Sequence, residues 1–137
     1  RVTSSHIKKL RQKNLYRDLP NSLADYKEDN YPNTKHYAIL KNESVVSALT
    51  IIERTTNKKK SAQLRGMFTV QKELKKGYGS ILIDKVSFKL KKENINLIWC
   101  NSRINVIDFY KKNKFKEIGK KFSINLLGDH KKLIRKL

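Results

Sequence analysis

Acidic residues are scarce in this chain: twelve Asp and Glu face thirty-two Lys and Arg over 137 residues, leaving a formal charge of +20 and a pI near 10.1. An excess of this size attracts polyanions at long range. Two readings stay open: lysines spread over a solvated surface, or contact with nucleic acid or the ribosome. The basic runs Lys58 to Lys60, Lys111 to Lys116 and Lys131 to Lys136 fall in different expected elements, and none is interleaved with exposed-looking aromatics as in single-strand binders. The dispersed reading is favoured on that ground.

Cysteine is nearly absent too. Cys100 stands alone and cannot form an internal disulfide, in keeping with a reducing compartment. There is no CxxC pair and no HExxH, and His6, His36 and His130 are far apart, which argues against structural zinc; no metal is expected. The GxxxxGK[ST] of nucleotide hydrolases and the full GxGxxG of dinucleotide folds are missing. No apolar run approaches the roughly 18 residues of a membrane span, and no charged-then-apolar leader is visible, so a cytoplasmic protein without membrane contact is the expectation. The chain begins at Arg1, so its natural start is not shown.

What is present is periodic. Hydrophobic residues make up 38% of the chain and cluster in regular runs, as in a folded protein, and 137 residues suit one domain, residues 1–137, with a sizeable core. Residues 5 to 19, with Ile7, Leu10, Leu15 and Leu19 among basic residues, read as a helix capped by Ser5 and stopped at Pro20-Asn21; a short second helix fits Ser22 to Tyr31. His36 to Leu40 and Val45 to Glu53 read as strands joined at Lys41 to Ser44, and Asn57 to Lys60 turns into a third strand, Leu64 to Val70. A helix follows with Gly79, Leu82, Ile83, Val86 and Leu90 on one face, then a strand from Ile95 to Cys100 able to pair parallel to the Leu64 strand. A second helix is expected over Asn101 to about Asn113. Phe115 to Ile118 and Phe122 to Leu126 read as closing strands, with residues 131–137 extending the last.

The chain is organised around Gln63 to Val86. There a buried strand passes through a charged turn into Gly77-Tyr78-Gly79-Ser80 and a helix start. The first amides of a helix lack internal acceptors and carry partial positive charge, which suits phosphate oxygens. Glycine there lets a ligand approach the backbone. Valine at Gly77 or Gly79 is accordingly expected to block a ligand without unfolding the chain.

These residues resemble the GNAT N-acetyltransferases. The family's acetyl-CoA loop, Gln/Arg-Gly-x-Gly-x-Gly/Ala, aligns without a gap on Leu74-Lys75-Lys76-Gly77-Tyr78-Gly79, with Leu74 in place of the Gln or Arg and Lys75 in place of the first glycine. Further on, Leu97-Ile98-Trp99-Cys100-Asn101-Ser102-Arg103, Phe109-Tyr110, Phe115, Gly119, Phe122, Gly128 and His130 resemble one branch's LWCNAR, FY, GF, G, F and GxH in order, and Lys114 stands where that branch has the Gly before Phe. Arg65-Gly66-Met67 and the Thr34, His36 and Ala38 pattern are similar to the same branch. The likeness covers about residues 29 to 137. It implies an α/β (α+β) fold with a mixed sheet of about six or seven strands flanked by helices, and direct acetyl transfer from acetyl-CoA to a primary amine in a ternary complex, without a metal.

The resemblance also implies roles. Backbone amides of Phe68, Thr69 and Val70 would clamp the acetyl group and pantetheine; amides from Lys75 through Lys76, Gly77, Tyr78 and Gly79 to Ser80 would hold the pyrophosphate, with lysine charge added, and Arg103 is a further cofactor contact. Tyr110 matches the tyrosine facing the thioester sulfur, able to hydrogen-bond or protonate the thiolate. Glu53, His36 and Glu73, or a water held by them, are the base candidates by strand position. Asp29, Thr34 and His130 are placed on the acceptor side. Cys100, in an apolar strand, reads as a core thiol rather than a nucleophile. Partners are acetyl-CoA and an amine acceptor (a small molecule, amino acid or peptide), with a homodimer left open. The other reading is a catalytically weak module of the same fold that holds RNA, ribosomes or an acidic protein, for which the altered Leu74 and Lys75 speak.

Overall fold

The computed structural model describes residues 1–137. Six strands form one mixed sheet in the order β1-β2-β3-β4-β6-β5: β1 Thr34–Lys41, β2 Ser44–Thr56, β3 Lys59–Thr69, β4 Leu97–Arg103, β5 Lys116–Ile124 and β6 Gly128–Lys136. Three α-helices flank it, α1 Ser4–Leu15, α2 Tyr78–Lys92 and α3 Ile107–Lys112. The expected α/β class and strand count are met.

β1, β2 and β3 form an antiparallel meander. Two-residue turns join them, with Asn42 and Glu43 at φ 51° and 67° and Asn57 and Lys58 at 50° and 63°. This is the left-handed pair that matches strand twist in tight hairpins. Only β3 and β4 run parallel, joined by the α2 crossover. One face of the sheet carries Leu49, Ile51 and Leu64 against Leu82, Ile83, Val86 and Leu90 of α2, with Tyr110 and Phe115 in the same cluster. Each such buried side chain contributes about 1.5–3 kcal/mol. On the other face Ile7 of α1 packs with Val45, Ala48 and Phe68.

The chain departs from the sequence expectation at three places. α1 is capped by Thr3, whose side chain accepts from the His6 amide, and it ends at Leu15, so Ser5 lies inside the helix; a 3-10 turn, Asn21–Ala24, is all that follows Pro20. The helix expected from Asn101 is cut short, because Asn101, Ser102 and Arg103 pair with Lys132, Lys131 and His130 of β6; a 3-10 turn at Ile104–Val106 precedes α3. Finally, residues 128 to 136 form their own strand, and β6 inserts between β4 and β5. Phe115 to Ile118 and Phe122 to Leu126 are largely one strand, interrupted between Ile118 and Phe122, where Gly119 has φ 72°.

Candidate active site

The parallel ladder between β3 and β4 holds only the pairs Ala62–Ile98 and Gln63–Trp99, although β3 runs on to Thr69 and β4 to Arg103. Beyond the last pair the strands part, β4 staying with β6 and β3 with β2. A bulge helps to separate them: the β2–β3 register shifts between Ala48 and Thr50, opposite Gly66, which has φ 58°. An added residue bends a strand and sharpens its twist. A side chain at Gly66 would meet Arg11 Nε at 2.8 Å, so the bulge is packed tightly against α1.

A cavity of about 160 Å³ fills the split, with Leu64 and Gly66 on one wall, Cys100 on the other, and Tyr26, Tyr110 and His130 around them. Tyr110 is 8% exposed, its ring set edge-on to Phe109 and Phe115 with both centroids 5.3 Å away. Its hydroxyl meets no hydrogen-bond partner in the chain. Burial pushes the phenol well above its ordinary range, so it stays protonated and can only donate to developing charge. Burial likewise pushes the Cys100 thiol up to about 12, which keeps it an inert core thiol. His130 is buried on β6, its ring 5.9 Å from that of Phe122 and its Nδ1 2.8 Å from the Gly128 carbonyl oxygen. A carbonyl only accepts, so Nδ1 carries a proton and, of the two tautomers, the one with its lone pair on Nε2 is selected; Nε2 meets no partner in the chain.

The structure thus brings Tyr110 and His130 to one cavity and leaves the three base candidates outside it. His36 sits in a buried polar knot: Nδ1 is 2.8 Å from Thr50 Oγ1, and Nε2 is 3.1 Å from the Asp29 carbonyl oxygen. Nε2 must therefore donate, and the Thr50 hydroxyl, which accepts from Arg11 at 2.9 Å, donates to Nδ1. Both nitrogens are engaged, and burial lowers the imidazole's pKa, keeping it neutral. Asp29 is 5% exposed and takes both guanidinium arms of Arg11 at 2.9 and 3.1 Å and the Tyr26 amide at 3.3 Å, so its carboxylate faces the fold rather than a substrate. Thr34 is buried, its hydroxyl unpartnered. Glu53 pairs with Lys35 at 3.2 Å, and Glu73 with Lys76 at 3.0 Å and Lys41 at 3.4 Å. The Lys76 hydrogen bond first, with Lys41 beside it, holds the Glu73 carboxyl below its usual range.

Arg11, Tyr16 and Tyr26 escaped the sequence reading. Tyr26 is stacked between Arg11, 3.7 Å from its ring centroid, and Arg65 at 3.9 Å, and its hydroxyl meets that of Tyr16 at 2.6 Å. One signal was available: Arg11 falls on the stripe of Ile7 and Leu15, four residues from each, where a fully buried position holds an arginine.

At the glycine corner, no acceptor in the chain meets the amides from Lys75 to Ser80; the first α2 bond runs from the Ile81 amide to the Gly77 carbonyl at 3.0 Å. Gly77 has φ 85° with open space around its Cα, whereas a Cβ on Gly79 would lie 3.0 Å from Phe109 Cζ and 3.2 Å from Met67 Cε. Valine at Gly79 therefore strikes the fold, which corrects the expectation that both glycines can be filled harmlessly. Lys76 is held by Glu73, which leaves Lys75, itself left-handed at φ 63°, as the unpaired cation of the loop. Two other expected contacts are engaged elsewhere: the Val70 amide donates to the Val46 carbonyl at 2.9 Å, and Arg103 donates to the Leu15 carbonyl at 3.0 Å, where α1 ends. Phe68 and Thr69 lie on the β3 stretch that has no β4 partner, but the Phe68 carbonyl already accepts from Ser47 Oγ of β2 at 3.1 Å. Phe109 touches Gly79 while its neighbour Tyr110 faces the cavity, so corner and cavity adjoin.

This arrangement has relatives. Residues 5–115 match the model of the Acetyltransferase (GNAT) family. The chain is 29% identical over 108 residues to the uncharacterized N-acetyltransferase YitI of Bacillus subtilis (strain 168), spanning 77% of this chain and 72% of that protein. Its fold matches Escherichia coli ElaA with a TM-score of 0.80 at 14% identity, over 94% of this chain and 86% of that one. It also matches an aminoglycoside 6'-N-acetyltransferase complexed with coenzyme A, with a TM-score of 0.78 at 12% identity, over 97% and 89% of the two chains. With a family match over residues 5–115, most of its length, the chain belongs to the acetyltransferase (GNAT) family, the enzymes that transfer acetyl groups from acetyl-CoA.

Proposed function

We propose that residues 1–137 act as one catalytic domain that transfers the acetyl group of acetyl-CoA to a primary amine, both substrates being bound together and the amine attacking the thioester directly. The observation that carries this reading is the run of unclaimed amides from Lys75 to Ser80, adjoining a strand edge without a ladder partner and a cavity with a protonated tyrosine. Unpaired backbone donors at a helix start suit a pyrophosphate, and the chain offers Lys75 beside them. Pantetheine extends along the edge of β3 that β4 has left, meeting the backbone of Thr69, while the Phe68 carbonyl stays with Ser47 of β2. The thioester then lies at the split.

In this geometry the protein contributes position, polarisation and proton handling. Attack breaks the C–S bond and leaves charge on sulfur. Tyr110, whose phenol burial keeps protonated, serves that charge as a hydrogen-bond donor rather than by giving up its proton. A hydrogen bond to a charged group contributes about 1.5–3 kcal/mol. Tyr110→Phe should therefore slow single-turnover acetyl transfer roughly 10- to 150-fold at little change in acetyl-CoA affinity. The test combines titration calorimetry with acetyl-CoA and thiol release with a panel of amines, amino acids and peptides. Failure of acetyl-CoA to bind in physiological salt sinks the reading, and equal single-turnover rates remove Tyr110 from it.

A further inference from the structure

We infer that His130 is the general base of this site, its Nε2 taking the proton from the attacking amine. The inference rests on the acetyl-transfer reading above and deepens it. Three observations carry it. First, Nε2 is the lone-pair nitrogen of the neutral ring, because the Gly128 carbonyl, 2.8 Å from Nδ1, fixes the proton there. Second, Nε2 has no partner in the chain although His130 is only 4% exposed, and His130 lines the same cavity as Tyr110. Third, no other group around that cavity can do the work. Its lining holds no carboxylate. The hydroxyls of Tyr16 and Tyr26 bond to each other at 2.6 Å, Gln63 holds Arg54 at 2.8 Å, and the Cys100 thiol is kept protonated by burial. The base candidates His36, Glu53 and Glu73 all stand outside the cavity with partners of their own.

The step balances without a further reactant. The amine nitrogen bonds to the acetyl carbon, one N–H proton passes to His130 Nε2, and the C–S bond breaks to give the amide and a thiolate held by the Tyr110 hydroxyl. The imidazolium then returns its proton, directly or through water, to the sulfur, giving CoA thiol and neutral His130. Tyr110 and His130 thus divide the work, one holding charge and the other moving a proton.

The decisive variant is His130→Asn. An asparagine amide can keep the bond to the Gly128 carbonyl that Nδ1 makes, but has nothing in the place of Nε2. Both proteins are given acetyl-CoA with water alone, L-leucine, L-leucinamide or spermidine as acceptor, and thiol release is followed. Wild type is expected to exceed His130→Asn about 100- to 10,000-fold with at least one acceptor, both proteins binding acetyl-CoA equally by calorimetry. His130→Ala supplies a second arm: added imidazole should restore thiol release, which a purely structural histidine would not allow. Equal release from wild type and His130→Asn in all four conditions, or no rescue of His130→Ala, overturns the assignment while leaving the acetyl-CoA reading intact. A wild-type protein that does not bind acetyl-CoA overturns both.

Discussion

Asp29→Asn tests whether the buried knot beneath the cavity is held by charge. Arg11 is fully buried, and its only counter-charge within ion-pair distance is Asp29; its remaining bonds go to the Ala24 carbonyl and the Thr50 hydroxyl, and Nε has no partner. Removing the carboxylate charge leaves a fully buried guanidinium with no anion. Breaking one side of a buried pair costs about 3–5 kcal/mol. Unfolding entropy of about 2.1 cal/mol/K per residue, over 137 residues, turns that into a Tm drop of roughly 10–17 °C. Urea unfolding gives the free energy directly, and Arg11→Met in the Asp29→Asn background should recover part of it, because the orphaned charge is then gone. Activity should fall with stability, since the same carboxylate holds the Tyr26 amide and Tyr26 forms a cavity wall. A loss below about 1 kcal/mol, the range of surface pairs, would show that the knot is solvated and that charge does not hold Tyr26.

Gly77→Val should weaken acetyl-CoA binding at least tenfold by calorimetry while the fold survives, because its surroundings are open, whereas Gly79→Val should lower the melting temperature by pressing on Phe109 and Met67; the reverse pattern would move the ligand seat. Lys75→Gly should stabilise the chain by roughly 0.5–1 kcal/mol in urea titration, since φ 63° strains a residue with a side chain and not glycine. The His36 pKa is lowered in the folded chain, so the unfolded form takes the proton first; its contribution is complete above the ordinary value of 6.5 and is lost as pH falls through 6.5 toward the folded value. Urea midpoints at pH 7.5 and 5.5 should therefore fall further for wild type than for His36→Gln, and parallel curves would refute the neutral knot.

Local features made the first half of the fold legible. Asn42 and Asn57 mark turns because asparagine tolerates positive φ, and the strands beside them carry β-branched runs. The α2 stripe was legible for the same reason, since its periodicity lies within one element. β5 and β6 were harder. β5 is an edge strand with little buried surface, and the order that inserts β6 next to β4 depends on pairs such as Cys100–Leu133, far apart in sequence. No window of residues carries that register.

The site divides along the same line. The glycine corner was legible because its chemistry belongs to consecutive backbone amides, and there the structure adds only which lysine is free and which glycine is packed. The proton-handling groups were not. Strand position pointed to Glu53, His36 and Glu73, yet whether a side chain is a base or a structural partner depends on what fills its lone pairs, and those fillers, Lys35, Thr50, Lys41 and Lys76, come largely from neighbouring strands and turns. His130 shows the converse. The sequence placed it on the acceptor side only through its GxH likeness; that its Nδ1 donates to the Gly128 carbonyl while its residue lines the cavity with Tyr110 follows from β6 lying against β4. A base is defined by the bond it does not make, and that becomes visible only after every other bond has been assigned.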